Sequence, residues 1–314
     1  MKKFTVLLVG LMVVALALPA KAEVKLSGFA QAQIVNDESL ANKLSFAGQR
    51  VRFIAKGDLG DKVGAFIQVE GLTADMNVLD VVMDYDLGTA GKVAIGRFCI
   101  PVGLQNPVSP YNLHTINYAL VVQNLVGKGA RDIGIRWTGK YDIVDWALAY
   151  INGTGAGVAA TSVVAEDNDE KDIVARVGVS VPGVAGLGAG VSIYSGKAGA
   201  LKTDRKRTGI DVKYEKDAIS AQLEYITGED GTTKKNGYYL EVGYKINDLL
   251  QPMIRYDFYD PNTDLSDNEN TITAIGANVY LGKNAKVQIF SETKTEKPTD
   301  TKNDVLAVQT AVKF

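Results

Sequence analysis

The chain has one cysteine, Cys99, and one histidine, His114, among 314 residues. A single cysteine excludes an intramolecular disulfide. A lone histidine beside it leaves no Cys/His cluster with metal-ligand spacing, so Cys99 reads as a small packing residue. Positive charge is not in excess either: Lys+Arg 34 stand against Asp+Glu 36, a net charge of −2. That balance argues against a nucleic-acid partner and against attraction to anionic membrane surfaces. After Leu18 no apolar run is long enough for a membrane-spanning helix, and helical periodicity is scarce. Finally, Ile100 to Gly127 contains no Asp, Glu, Lys or Arg.

The amino terminus carries a signal of its own. Lys2 and Lys3 precede the apolar stretch Phe4–Leu18, and Pro19-Ala20-Lys21-Ala22 supplies an A-x-A cleavage site. This predicts a secretory signal peptide over residues 1–22, leaving one unit over 23–314. An uncleaved anchor would need a longer apolar stretch. Without Lys2, Lys3 and Lys21 the remaining chain has 31 Lys+Arg against 36 Asp+Glu, a net charge of about −5.

The rest is built of short alternating segments. Sixteen are readable, near 24–35, 44–56, 63–71, 78–87, 91–99, 130–138, 144–152, 172–181, 187–195, 207–214, 219–227, 237–246, 250–259, 271–281, 286–292 and 305–314. Ile219, Ala221, Leu223 and Tyr225 alternate with Ser220, Gln222 and Glu224, for example. Such a series predicts an all-β fold, a transmembrane antiparallel barrel of about sixteen strands. Linkers after even-numbered segments are short. Most after odd-numbered ones are long and polar: Thr154–Glu170, Gly196–Lys206, Gly228–Lys235, Asp260–Asn270 and Lys294–Asp304. Short turns on the periplasmic side and long loops outside is the asymmetry of outer-membrane barrels. Aromatics of the apolar parity mark two rims. Tyr85, Trp137, Tyr214, Tyr244 and the terminal Phe314 lie near short turns, and Tyr150, Tyr225, Tyr238 and Phe258 near long loops. A soluble β-sandwich would bury that face and would not need rings at both rims.

Side chains cannot fill a sixteen-strand barrel, so its polar parity reads as the wall of a water-filled pore. Candidate pore-lining residues are Arg50, Arg52, Lys56, Glu70, Asp80, Asp84, Arg136, Arg176, Glu224 and Arg255. For any one of them, plain solvation of the wall is the alternative role. The uncharged Ile100–Gly127 linker is too long and apolar to sit fully in water. Folding inward would narrow the pore, with Pro101, Asn106, Tyr111, His114 and Asn117 as candidate constriction residues. An external loop at a subunit contact is the other reading.

Two stretches resemble a known family. Val93-Ala94-Ile95-Gly96-Arg97-Phe98 with Pro101-Val102-Gly103-Leu104 is similar to the G-x-F-x-x-P-x-G-L element of the phosphate-selective porin O and P family. Ala130-Arg131-Asp132-Ile133-Gly134-Ile135 and Gly139 are similar to its R-D-x-G-x-x-x-x-G element. The resemblance implies a sixteen-stranded homotrimeric porin whose third external loop folds into the lumen. That family's phosphate selectivity rests on clustered Lys and Arg at the constriction, and Ile100–Gly127 has neither. With no loop carboxylates to pair them, Arg50, Arg52 and Arg136 point instead to a general anion preference.

The expected function is therefore passive diffusion of small hydrophilic solutes or ions through the outer membrane of a Gram-negative-type bacterium. The partners are outer-membrane lipid, further copies of the chain and the solutes, without cofactor, metal or nucleic acid. Asp260, Asn262 and Asp264 have calcium-loop spacing, but Leu265 stands where glycine belongs. An adhesive barrel without transport is the alternative. A hydrolase would need His114 beside a serine and a carboxylate, and its sequence neighbours include no acidic residue.

Overall fold

The computed structural model describes residues 23–72, 76–155 and 166–314; the expected signal peptide lies outside them. Sixteen strands follow in order: β1 (Glu23–Asp37), β2 (Leu44–Asp58), β3 (Val63–Glu70), β4 (Asn77–Asp86), β5 (Lys92–Cys99), β6 (Arg131–Tyr141), β7 (Val144–Ile151), β8 (Asp172–Ser180), β9 (Leu187–Ala198), β10 (Thr203–Lys216), β11 (Ile219–Asp230), β12 (Thr233–Tyr244), β13 (Leu250–Asp260), β14 (Asn270–Tyr280), β15 (Ala285–Glu296) and β16 (Val305–Lys313). Each pairs antiparallel with its sequence neighbours, and β1 pairs with β16, so the sheet closes on itself. Closure leaves no free strand edge, which is what backbone polar groups require in hydrocarbon.

Because strand side chains alternate, closure converts parity into inside and outside. In the β11–β12–β13 register, Tyr225, Tyr238 and Phe258 lie in one row, and Glu224, Tyr239 and Asp257 in the adjacent one. The first parity is the exposed, apolar one: Ile95, Ile135, Val177, Ile193 and Ile275 are each about half exposed. The second carries the buried polar side chains Gln31, Glu70, Asp80, Asp211, Glu224 and Gln288. The apolar parity faces out. Its rings pair at the rims, Trp137 with Trp146 at 5.6 Å and Tyr238 stacked on Phe258 at 5.3 Å.

Two expected long loops are instead strand. The β9–β10 connection shrinks to residues 199–202 and the β11–β12 connection to 231–232. Charge made these stretches look like loop, yet the charges face each other across the hairpins. Lys197 pairs with Asp204, Lys206 with Glu229 at 3.6 Å, and Arg207 with Asp230 at 2.8 Å. A strand needs only about 9–11 residues to cross the bilayer. With 14 residues, β10 continues past it on cross-strand ion pairs.

The inner face is also less uniformly polar than expected. Phe98, Ile151, Val174, Tyr194, Ile226, Tyr239 and Tyr259 share it and are buried. They pack in one cluster with Ile100, Val102, Leu113, Tyr118, Val121, Val122, Leu125 and Val126, all from the uncharged segment.

Candidate functional site

The uncharged segment, residues 100–127, makes up all but the last three residues of the β5–β6 connection and contains a 3-10 turn, Pro110–Asn112, and one short helix, α1 (Leu120–Leu125). Val121, Val122 and Leu125 are fully buried in the apolar cluster. At roughly 1.5–3 kcal/mol per buried aliphatic side chain, this packing gives an uncharged segment a defined position. Its base is tied by Asn106, whose side chain donates to the Ile100 carbonyl at 2.8 Å and accepts the Ala130 N–H at 2.9 Å.

The remaining contacts are hydrogen bonds to inner-face side chains of distant strands. The N–H groups of Leu104 and Gln105 donate to the two oxygens of Glu224 on β11, at 3.0 and 3.1 Å. His114 Nδ1 lies 2.8 Å from Glu241 Oε1 on β12. Asn117 donates to Glu292 on β15 at 3.0 Å, and the Leu120 N–H to Asp257 on β13 at 3.3 Å. Arg255 donates to Thr115 Oγ1 and to the Asn117 carbonyl, and its Nε lies 2.9 Å from Asp257. Lys286 and Gln288 donate to the Leu113 carbonyl, at 2.9 and 3.3 Å. Gly103 explains a glycine of the first motif: its φ is +70°, and a Cβ there would lie 1.8 Å from Glu224 Oε1. Only glycine permits that approach. In the second motif, Asp132 accepts the N–H groups of Gly153 and Gly155, both at 3.0 Å, and so anchors the β7–β8 connection.

The candidate wall residues divide in two. Arg52 is buried against Glu70, Nε to Oε2 at 3.0 Å. Asp80 accepts from Arg131 at 3.1 Å and Asp84 from Lys92 at 3.2 Å. Arg176 forms a two-bond pair with Asp211. Glu224 and Arg255 are held by the segment. In contrast, Arg50 donates to the neutral Gln31, at 3.0 Å, and Arg136 lies over the Phe98 ring at 4.6 Å and reaches the Cys99 carbonyl at 3.5 Å. Among the described residues neither has a carboxylate partner, and Lys56 is exposed without one. Of the candidate constriction residues, Pro101 and Asn106 are buried at the segment's base, where they anchor and cannot line an opening. Tyr111 and His114 are half-buried and Asn117 is exposed.

His114 therefore has acidic partners that its sequence neighbours do not supply. Burial disfavours its charged form, but the hydrogen bond and charge of Glu241, with Glu215 beyond, outweigh it and raise the imidazole above its ordinary value. No serine or cysteine bonds to the ring among the described residues. Sequence reasoning missed Lys286, Lys313 and Phe29, although all three share the inner parity of their strands. Their relation to Tyr111 depends on where the segment lies, and no local pattern encodes that.

A family model described as Gram-negative porin matches residues 9–297. The chain belongs to the Gram-negative porin family. It is a passive channel protein of the outer membrane, and its barrel agrees. The anion-selective porin from Comamonas acidovorans superposes with a TM-score of 0.70 at 14% identity, covering 93% of this chain and 99% of that one. OmpF of Salmonella typhi, solved in complex with daunomycin, gives 0.70 at 13% identity over 93% and 97%. OmpT of Vibrio cholerae in its trimer form gives 0.65 at 12% identity over 93% and 99%. At such identities these likenesses establish the fold of this porin. No curated protein sequence matches it.

Proposed function

We propose that this porin prefers anions, and that the preference comes from which wall charges the uncharged segment covers. The observation that carries this is an asymmetry of partners. Glu224, Glu241, Asp257 and Glu292 each hold a hydrogen bond to segment 100–127. Among the described residues neither Arg50 nor Arg136 is ion-paired to a carboxylate: Glu70 lies near Arg50, and Asp80 and Asp84 near Arg136, without a direct bond. A carboxylate whose lone pairs are occupied by fixed N–H donors attracts a passing cation less. An arginine not bonded to a carboxylate keeps more of its field for a passing anion. We infer that the segment lies in the lumen and narrows it, because its partners are inner-face side chains on strands far from β5 and β6. Its apolar side chains gain the packing that exposure to water would deny them.

The same reading takes the protein as a homotrimer, as the trimer form of the Vibrio OmpT is, without chemistry of its own. His114 is held by carboxylates and, among the described residues, bonds to no nucleophile. Export follows from the Lys2-Lys3, Phe4–Leu18 and Ala20-Lys21-Ala22 pattern, with cleavage after Ala22. Kinship to the phosphate-selective O and P group rests on Gly96–Leu104 and Arg131–Gly139. Small anions in general fit this chain better than phosphate alone, since Ile100–Gly127 has no Lys or Arg. The test is single-channel recording in planar bilayers. Wild type gives steady conductance that rises with salt concentration; absence of conductance overturns the reading.

A further inference from the structure

The inner wall carries a second group of cations, joined to Arg50 through Gln31 and organised by aromatic rings. Phe29 on β1 and Lys313 on β16 are direct register partners. Tyr111, in the 3-10 turn of the segment, sits against both. Its ring centroid is 5.9 Å from that of Phe29, and the Lys313 ammonium is 5.3 Å from it. The Lys286 ammonium lies 5.5 Å from the same centroid, and Arg52 lies over Phe29 at 5.6 Å. Gln31 fixes the turn by donating to the Pro110 carbonyl at 3.3 Å.

These groups are not equivalent. Arg52 is paired with Glu70, and Lys286 is buried and donates to the Leu113 carbonyl. Phe29 is buried and backs Tyr111. Lys313 is exposed, and among the described residues it has no carboxylate partner. Tyr111 is half-buried, and its hydroxyl has no hydrogen-bond partner among the described residues. An ammonium with no carboxylate partner among the described residues thus stands against a partly exposed aromatic ring on the channel side of the sheet. An inorganic anion could use only the ammonium. An anion with a flat apolar body could use both.

We propose that Tyr111 and Lys313 form a subsite for aromatic carboxylates: the carboxylate meets the Lys313 ammonium and the ring lies along Tyr111. The proposal rests on the anion reading above for the solute's charge, and adds a solute class to it. Charge-assisted contact with an ammonium is available to any carboxylate. The aromatic contact separates benzoate from acetate.

The experiment is block of chloride current through the full-length protein in planar bilayers, with sodium benzoate or sodium acetate as the added anion. Benzoate is expected to half-block at a concentration roughly threefold or more below that of acetate. Tyr111→Leu, which keeps an apolar side chain but removes the ring, is expected to erase that difference, and Tyr111→Phe to retain it. Lys313→Gln is expected to weaken both anions. Equal block by benzoate and acetate in wild type overturns the subsite without any variant, as does a benzoate advantage that survives Tyr111→Leu. The zero-current potential in a sodium chloride gradient is read on the same channels. A chloride preference without a benzoate advantage sinks the subsite alone, whereas a sodium preference sinks the anion reading beneath it.

Discussion

The backbones of Gly28 and Phe314 exchange both of their hydrogen bonds: Gly28 N–H to the Phe314 carbonyl at 2.9 Å, and Phe314 N–H to the Gly28 carbonyl at 3.0 Å. The last residue of the chain therefore completes the β1–β16 seam, and its ring lies over the hydrogen-only face of Gly28 and 6.3 Å from Phe53. A Cβ at residue 28 would fall 2.4 Å from the Arg52 carbonyl and 2.6 Å from Phe314 Cζ.

Gly28→Ala should accordingly force the seam apart. Overpacking of this kind costs about 1–3 kcal/mol. It should lower the temperature at which the folded barrel converts to the unfolded band on a denaturing gel. Deleting Phe314 removes two seam hydrogen bonds and a rim aromatic, and should lower the yield of assembled protein. An unchanged transition for Gly28→Ala would mean that the seam is not closed here.

Arg255 and Asp257 are both fully buried, and Arg255 also holds Thr115 and Asn117 of the segment. Removing one partner leaves the other charge buried and uncompensated, at a cost of about 3–5 kcal/mol. Arg255→Gln should destabilise the barrel by that order in urea unfolding and make single-channel traces noisier. Arg255→Gln combined with Asp257→Asn should recover most of the loss. If the double variant is as unstable as the single one, the charges are not coupled.

His114 gives the fold a pH dependence with a defined sign. Its folded value is raised above about 6.5, the ordinary value. Protonation is thus linked to the folded, Glu241-bound state. That stabilisation is fully present below about pH 6.5 and is lost as pH rises through the raised folded value. Glu241 and Glu215 support the charge, and Lys286 opposes it. Between pH 6 and 9, wild type should lose more thermal stability than His114→Gln. Parallel pH profiles would contradict this origin.

The strands were legible because period-2 alternation runs through most of them; in β4 a bulge at Leu79 interrupts it and leaves Leu79 and Asp80 buried side by side. Strand ends were less so. Lys197, Asp204, Glu229 and Lys234 look like loop residues until their cross-strand partners are known. The candidate wall was readable as a set of positions. Its electrostatics were not, since Glu224 and Arg50 look alike by parity. What separates them is a contact with Leu104 and Gln105, some 120 residues away in the chain. The apolar inner cluster was partly visible: Tyr239 and Tyr259 sit on the polar parity of their strands, an oddity that only a covering segment explains.

If the covered carboxylates are electrostatically quiet, replacing them should do little. Glu224→Gln should leave the ratio of chloride to potassium permeability nearly unchanged. Arg50→Gln with Arg136→Gln should lower it severalfold. A larger effect from Glu224→Gln than from the arginine pair would reverse the assignment.

The most direct measurement is the zero-current potential of wild-type channels in a planar bilayer across a tenfold potassium chloride gradient. Selectivity by uncovered arginines predicts a potential with the sign of chloride preference, reduced toward zero in the Arg50→Gln, Arg136→Gln variant. A potential with the sign of potassium preference in wild type would contradict it.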